Sequence, residues 1–255
     1  MAILRVDFCL PFVKHSNVST VKQHDHDDLP PIVSLRQEEI WALMCGASQA
    51  YVSFIWRMKK CLVVPRRETS FPSYARAACV SASRGWPVVV RSSGGAAVPN
   101  GPGILNLTIA SYPSAPEMEE GYRLLSSVII QALDIQGVAA TTGSIEGSYC
   151  DGRYNVVIGG KKVAGTAQRW IKHPVSQRTT IISHAAISVD LDPREAANVV
   201  NGYYADLGID SRVREGSISS LRRESCCPIA FESSLRVLLQ NYGLRGYEGE
   251  LYEHA

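Results

Sequence analysis

Cys150 and Lys162 are the residues whose types and spacing best suit covalent chemistry. Cys150 ends the run Ile145-Glu146-Gly147-Ser148-Tyr149-Cys150, and Lys162 lies twelve residues further on, across Tyr154-Asn155-Val156-Val157-Ile158-Gly159-Gly160-Lys161. A nearby ammonium favours the thiolate, and the thiolate is the nucleophile. If the fold brings the two side chains together, they make a covalent acyl-transfer site. If it does not, Cys150 is one more small buried hydrophobe, the commoner fate of a free thiol.

A second segment with chemical potential is Arg91-Ser92-Ser93-Gly94-Gly95-Ala96-Ala97-Val98, directly after the apolar run Trp86-Pro87-Val88-Val89-Val90. Glycines there would let the backbone approach a ligand, or only form a tight turn. It is neither a dinucleotide fingerprint nor a P-loop, because G-x-G-x-x-G and G-K-[ST] are both absent. His24-Asp25-His26-Asp27-Asp28 has metal-binding residue types but reads as a solvated linker. His184 sits in an alternating strand and reads as a satisfied core or edge histidine.

The elements that must position these residues are legible in part. Ser34 with Gln37 suggests a capping box opening a helix in which Ile40, Leu43, Met44 and Ala47 recur at helical spacing. Strands are expected near 52–56, 61–64, 86–90 and 104–109. A second helix is expected from Ser114, with Glu117 as capping partner and an apolar stripe of Tyr122, Leu125, Val128, Ile129, Ala132 and Leu133. Gly159-Gly160 joins strands 154–158 and 163–168 as a hairpin. Another strand is expected over 179–191, then a helix with Asp192 as N-cap and Pro193 at its first position, and a last helix over 232–241. Hairpin signals outnumber strand–helix–strand units. The fold class is therefore α/β of the α+β type, a mixed, largely antiparallel sheet flanked by helices. Residues 1–33 read as an N-terminal strand and polar linker, and 34–255 as one domain.

Bulk properties narrow the function classes. The 255 residues are 45% apolar and 20% charged, with net charge +2. This is too weakly basic to argue for nucleic acid. The seven cysteines are odd in number and form no C-x-x-C pair, so a zinc signature is absent and reduced thiols in a cytoplasmic setting are expected. The N-terminus does not read as a signal peptide, and no run of about eighteen apolar residues suggests a membrane span.

Taken in order, Trp56-Arg57, Arg91-x-x-Gly94-Gly95-x-Ala97-Val98, Gly103-Ile104-Leu105-Asn106, Glu146-Gly147-Ser148-Tyr149-Cys150 and Gly160-Lys161-Lys162-Val163-Ala164-Gly165 form a specific series. Over about residues 40–190 it resembles the biotin/lipoate protein ligase and lipoyl/octanoyltransferase superfamily. Within it, the series is most similar to the octanoyl-(glycine cleavage protein H):protein N-octanoyltransferases. The resemblance implies a class II biotin synthetase-like catalytic domain and a cysteine/lysine acyltransferase. Its nucleophile falls on Cys150 and its active-site lysine on Lys162, while Lys161, on the opposite face of the strand, is solvent-exposed. Arg91, Ser93, Gly94, Gly95, Ala96 and Ala97, with Gly165, fall where the family walls the acyl pocket. Arg91 would meet an acidic carrier or cap the loop, and His184 falls near a ligase H-G-x-L-L element.

The implied reaction moves an octanoyl or lipoyl group through a Cys150 thioester onto a lysine of a lipoyl-domain protein. Backbone N–H groups of the glycine-rich loop or the Lys162 strand would hold the oxyanion. The donor would be protein H or an acyl carrier protein, and transfer needs no cofactor. The alternative is an ATP- and magnesium-dependent lipoate–protein ligase, which would not need Cys150. Ala96 in place of a third loop glycine and Asn100-Gly101 in place of the ligase His-Asp count against it, as does the expectation that the accessory C-terminal domain is missing or borrowed from a separate chain. Thr166 is a mild departure from the small polar residue after the Ala-Gly pair. A carrier-binding module without catalysis is the third reading, opposed by the presence of both Cys150 and Lys162.

Overall fold

The computed structural model describes residues 30–48, 52–112, 118–173, 177–241 and 245–246, with backbone alone for 41–48 and 245–246. The expected N-terminal strand, the His24–Asp28 cluster and the Ser114–Glu117 cap lie outside the described residues.

Among the described residues, ten strands and five α-helices follow in the order α1 (Pro31–Ser48), β1 (Val52–Trp56), β2 (Cys61–Pro65), α2 (Tyr74–Ser83), β3 (Val88–Arg91), β4 (Val98–Asn100), β5 (Ile104–Ser111), α3 (Met118–Asp134), β6 (Thr141–Thr142), β7 (Val156–Ile158), β8 (Lys161–Lys172), β9 (Thr179–Ser188), α4 (Pro193–Leu207), α5 (Pro228–Asn241) and β10 (Arg245–Gly246). They build two sheets where the sequence suggested one. The larger has seven strands in the order β10-β1-β5-β9-β8-β7-β6, antiparallel except for β1 with β10. The smaller, β3-β2-β4, pairs β2 with β3 in parallel and with β4 antiparallel.

Strand alternation divides the large sheet into two faces. Leu105, Leu107 and Ile109 of β5, with Ala185 and Ile187 of β9, pack under the buried stripe Leu125, Val128, Ile129, Ala132 and Leu133 of α3 and under Phe231, Leu235 and Leu239 of α5. Thr108 and His184 pair across β5 and β9 on the opposite face. That face packs Val52, Phe54, Trp56, Ala110 and Ile182 against Cys61 and Val63 of the small sheet and Leu35 of α1, with the polar groups set among them. A second core gathers Leu62, Val64, Ala77, Trp86, Val200 and Tyr203 beneath α2 and α4.

Several local expectations hold for the stated reasons. Gly159 and Gly160 both have positive φ (55° and 75°), as a tight hairpin turn requires. The Asp192 carboxylate accepts from the N–H groups of Arg194 and Glu195, and Pro193 occupies the first turn of α4. Others are corrected. α1 begins at Pro31, so Ser34 lies inside the helix and does not cap it. Its buried face includes Ser34 and Glu38, whereas Ile40 is 49% exposed. α5 starts at Pro228 and β9 stops at Ser188. No expectation covers α2, a short helix of small residues whose buried side chains are only Ala77 and Ser81.

Candidate functional site

Cys150 sits on the turn before β7 with φ of 46°, in the left-handed region that non-glycine residues seldom occupy. Its backbone is held there by two side chains. Asn155 Nδ2 donates to Cys150 O (3.2 Å) while Asn155 Oδ1 accepts from Thr166 N (3.0 Å), tying the turn to β8. Lys162 Nζ donates to Tyr149 O and to Cys150 O (2.8 Å) and lies 4.7 Å from the Tyr149 ring centre.

Lys162 is 2% exposed, and Lys161 on the other side of β8 pairs with Glu224 (3.6 Å). Burial pushes Lys162 down to about 8, opposed by its attraction to Cys150 and Asp151. Gly165 makes space for it: a Cβ there would come within 3.0 Å of Nζ and 3.1 Å of Cε. Gly165 thus borders the lysine.

The glycine-rich loop closes over the thiol. Ala96 N donates to Cys150 Sγ (3.3 Å), and a Cβ on Gly95 (φ 101°) would fall 2.6 Å from Sγ and 2.9 Å from Arg91 Nη2. The position beside Gly94 is open. Arg91, 7% exposed, faces inward: it donates to Val63 O (3.0 Å), Gly94 O (2.8 Å) and Ala96 O (2.7 Å). Burial lowers its pKa, with Cys150 and Glu68 opposing. These contacts of Arg91 tie the loop to β2. Lys162 and Arg91 therefore bring two buried cations into the field of the thiol.

Ser93 points the other way, with Oγ 3.2 Å from His184 Nε2, and His184 Nδ1 is 2.9 Å from Glu38 Oε1. Thr108 Oγ1 also donates to that carboxylate oxygen (2.6 Å). These contacts, chiefly with His184, hold Glu38 below its ordinary value against the penalty of burial. A cavity of about 270 Å³ opens beside this chain, its walls including Leu35, Val90, Arg91, Ser93, Ile182 and His184. Asn155 and Glu38 give no signal in the sequence, because an isolated buried polar residue leaves no periodic signature.

A family model described as the lipoyl protein ligase A/B catalytic domain matches residues 31–242. An octanoyl-(GcvH):protein N-octanoyltransferase of Geobacillus kaustophilus is 34% identical over 84% of this chain and 76% of its own length. The namesake from Kyrpidia tusciae is 36% identical over 66% of this chain and 60% of its own length. Among solved structures, a lipoate-protein ligase A bound with ATP superposes with a TM-score of 0.65, covering 88% of this chain and 87% of that one at 15% identity, a likeness of fold.

Proposed function

This chain belongs to the lipoyl protein ligase A/B catalytic domain family, and we propose from that premise that it transfers an octanoyl group between proteins through a thioester on Cys150. The observation that carries the proposal is the thiol itself, seated under Ala96 N–H and backed by the buried Lys162. Relatives named octanoyl-(GcvH):protein N-octanoyltransferase suggest protein H as donor, with a lipoyl-domain lysine as acceptor.

In the first half-reaction the Cys150 thiolate attacks the carbonyl carbon of the donor's octanoyl-lysine amide. A C–S bond forms and the C=O π pair moves to oxygen. Collapse restores C=O, breaks C–N and releases the donor amine, which takes a proton from the Lys162 ammonium. In the second half-reaction the acceptor's neutral ε-amine attacks the thioester. C–N forms, C–S breaks, the thiolate returns, and neutral Lys162 takes the proton lost by nitrogen. A pKa of about 8 lets Lys162 act in both directions near neutral pH. One amide replaces another, so no ATP is consumed. The acyl chain would run from the thiol along Leu35, Val90 and Ile182, the apolar wall of a cavity that also carries Arg36, Glu39, Arg66 and Arg169, each buried CH₂ contributing about 0.8 kcal/mol.

The test is transfer from octanoylated protein H to a lipoyl domain without ATP, followed by the mass of the acceptor. Octanoylated acceptor is the expected product. Modification only with free lipoate, ATP and magnesium would establish the ligase instead. Gly95→Ala should cut transfer by about 100-fold, because its Cβ cannot coexist with Sγ at 2.6 Å and displacement of a reacting group by about 1 Å costs on that order. Transfer rates alongside a thermal melt check this; an unchanged rate would mean that the loop does not close on the thiol during the reaction.

A further inference from the structure

Consecutive backbone N–H groups of the glycine-rich loop have different partners. Ala96 N faces the thiol, whereas Ala97 N donates to the phenolic oxygen of Tyr204 (2.7 Å), on α4. Tyr204 in turn donates to Glu68 Oε1 (3.1 Å). Glu68 is 2% exposed and belongs to the short 3-10 turn Arg66–Ser70 that follows β2. The neighbouring residue on that turn, Arg67, donates to Gly95 O (2.7 Å). The turn therefore reaches the loop twice, directly through Arg67 and through the buried Glu68–Tyr204 pair.

We infer that Tyr204, oriented by Glu68, is a positioning residue that sets Ala96 N–H as the oxyanion donor for chemistry at Cys150. The inference rests on the acyltransferase reading above. By accepting from Ala97 N, the phenol fixes the rotation of the peptide next to the one that carries the Ala96 N–H. Ala97 itself is fully buried, so its N–H has no water to turn to. Without the phenol that donor must find another acceptor, and the adjacent peptide turns with it. The cations beside the sulfur are untouched, since Lys162 and Arg91 stay buried next to it, and the sulfur loses only the long Ala96 N–H contact. What fails is the hold on the negative oxygen that forms when the thiolate attacks a carbonyl.

This predicts a split between two reactions of the same sulfur. Alkylation by iodoacetamide needs a thiolate and no oxyanion donor. Acylation by octanoyl thiophenyl ester forms C–S, passes the charge through the carbonyl oxygen and expels thiophenolate. Tyr204→Phe should slow acylation by about 10- to 100-fold and leave alkylation within about twofold, as expected for a misplaced group in a preorganised site. A melt near that of the wild type would show the variant folded. Should Tyr204→Phe not fold, the Glu68 variants carry the same test. Glu68→Gln keeps an acceptor for the phenol and should retain the wild-type ratio of the two rates, whereas Glu68→Leu should lower it. Equal rates in both reactions, or parallel losses, would overturn the inference while leaving the acyltransferase intact. A wild-type protein that is alkylated but never acylated would sink the acyltransferase reading itself.

Discussion

Cys150→Ser should lose ATP-independent octanoyl transfer by at least about 10³-fold, the scale seen when a nucleophile is removed from a preorganised acyl-transfer site. A serine hydroxyl at this position is not ionised, and neither Arg91 nor the ammonium form of Lys162 in which acylation begins can take its proton. The fold should be unaffected. Serine accepts the same backbone as cysteine, and the supports of the turn act on carbonyl oxygens that the variant keeps: Asn155 and Lys162 on Cys150 O, and Lys162 on Tyr149 O. Steady-state transfer with a parallel melt checks both halves of the expectation. Retained activity would remove Cys150 from the mechanism.

Lys162→Met is the second large effect, because it separates catalysis from stability. Transfer should fall by about 10²- to 10⁴-fold, the range for a positioned proton-transfer group. The pH dependence of the wild-type half-reactions should mirror this role. Acylation, which needs the ammonium, should weaken as pH rises through about 8, and transfer from the thioester, which needs the free amine, should strengthen over the same range. Stability moves differently. The folded pKa lies below the ordinary value of 10.5, so between pH 8 and 10.5 the unfolded chain binds more protons at this residue than the folded one. Its contribution to stability therefore rises with pH. Relative to Lys162→Met, the wild type should gain up to about 3 kcal/mol from pH 7 to 10.5. Cys61 and Cys226, pushed up by burial to about 12 and about 11, act in the opposite sense above pH 9. They are common to both proteins and cancel in the difference. Denaturant titrations of the pair at pH 7 and 10 measure it, and a constant difference would mean that burial does not lower the pKa of the lysine.

An element is legible in the amino-acid sequence when the information that specifies it is local. The Gly159-Gly160 hairpin, the Asp192 cap and the α3 stripe are local, and each appears where its chemistry puts it. α2 gives no such signal, because its run Tyr-Ala-Arg-Ala-Ala-Cys-Val-Ser-Ala-Ser offers small residues without a periodic apolar stripe. The start of α1 differs from expectation because Ser34 has a capping residue's type but turns into the interior. At the site, strand alternation separates Lys161 from Lys162, and the structure buries the second and leaves the first paired to Glu224. The role of Arg91 is not legible from sequence, since its partners are carbonyls of its own loop and of β2. Asn155, Tyr204 and Glu68 are silent for a related reason. Their partners come together only when the strands and α4 pack.

The central claim is that the acyl group passes through Cys150. The most direct measurement is an intact-mass spectrum of this protein mixed with octanoylated protein H without ATP. The account predicts a gain of one octanoyl group that hydroxylamine removes and that Cys150→Ser lacks. No adduct on the wild type, with acceptor modified only when free lipoate and ATP are supplied, would contradict it.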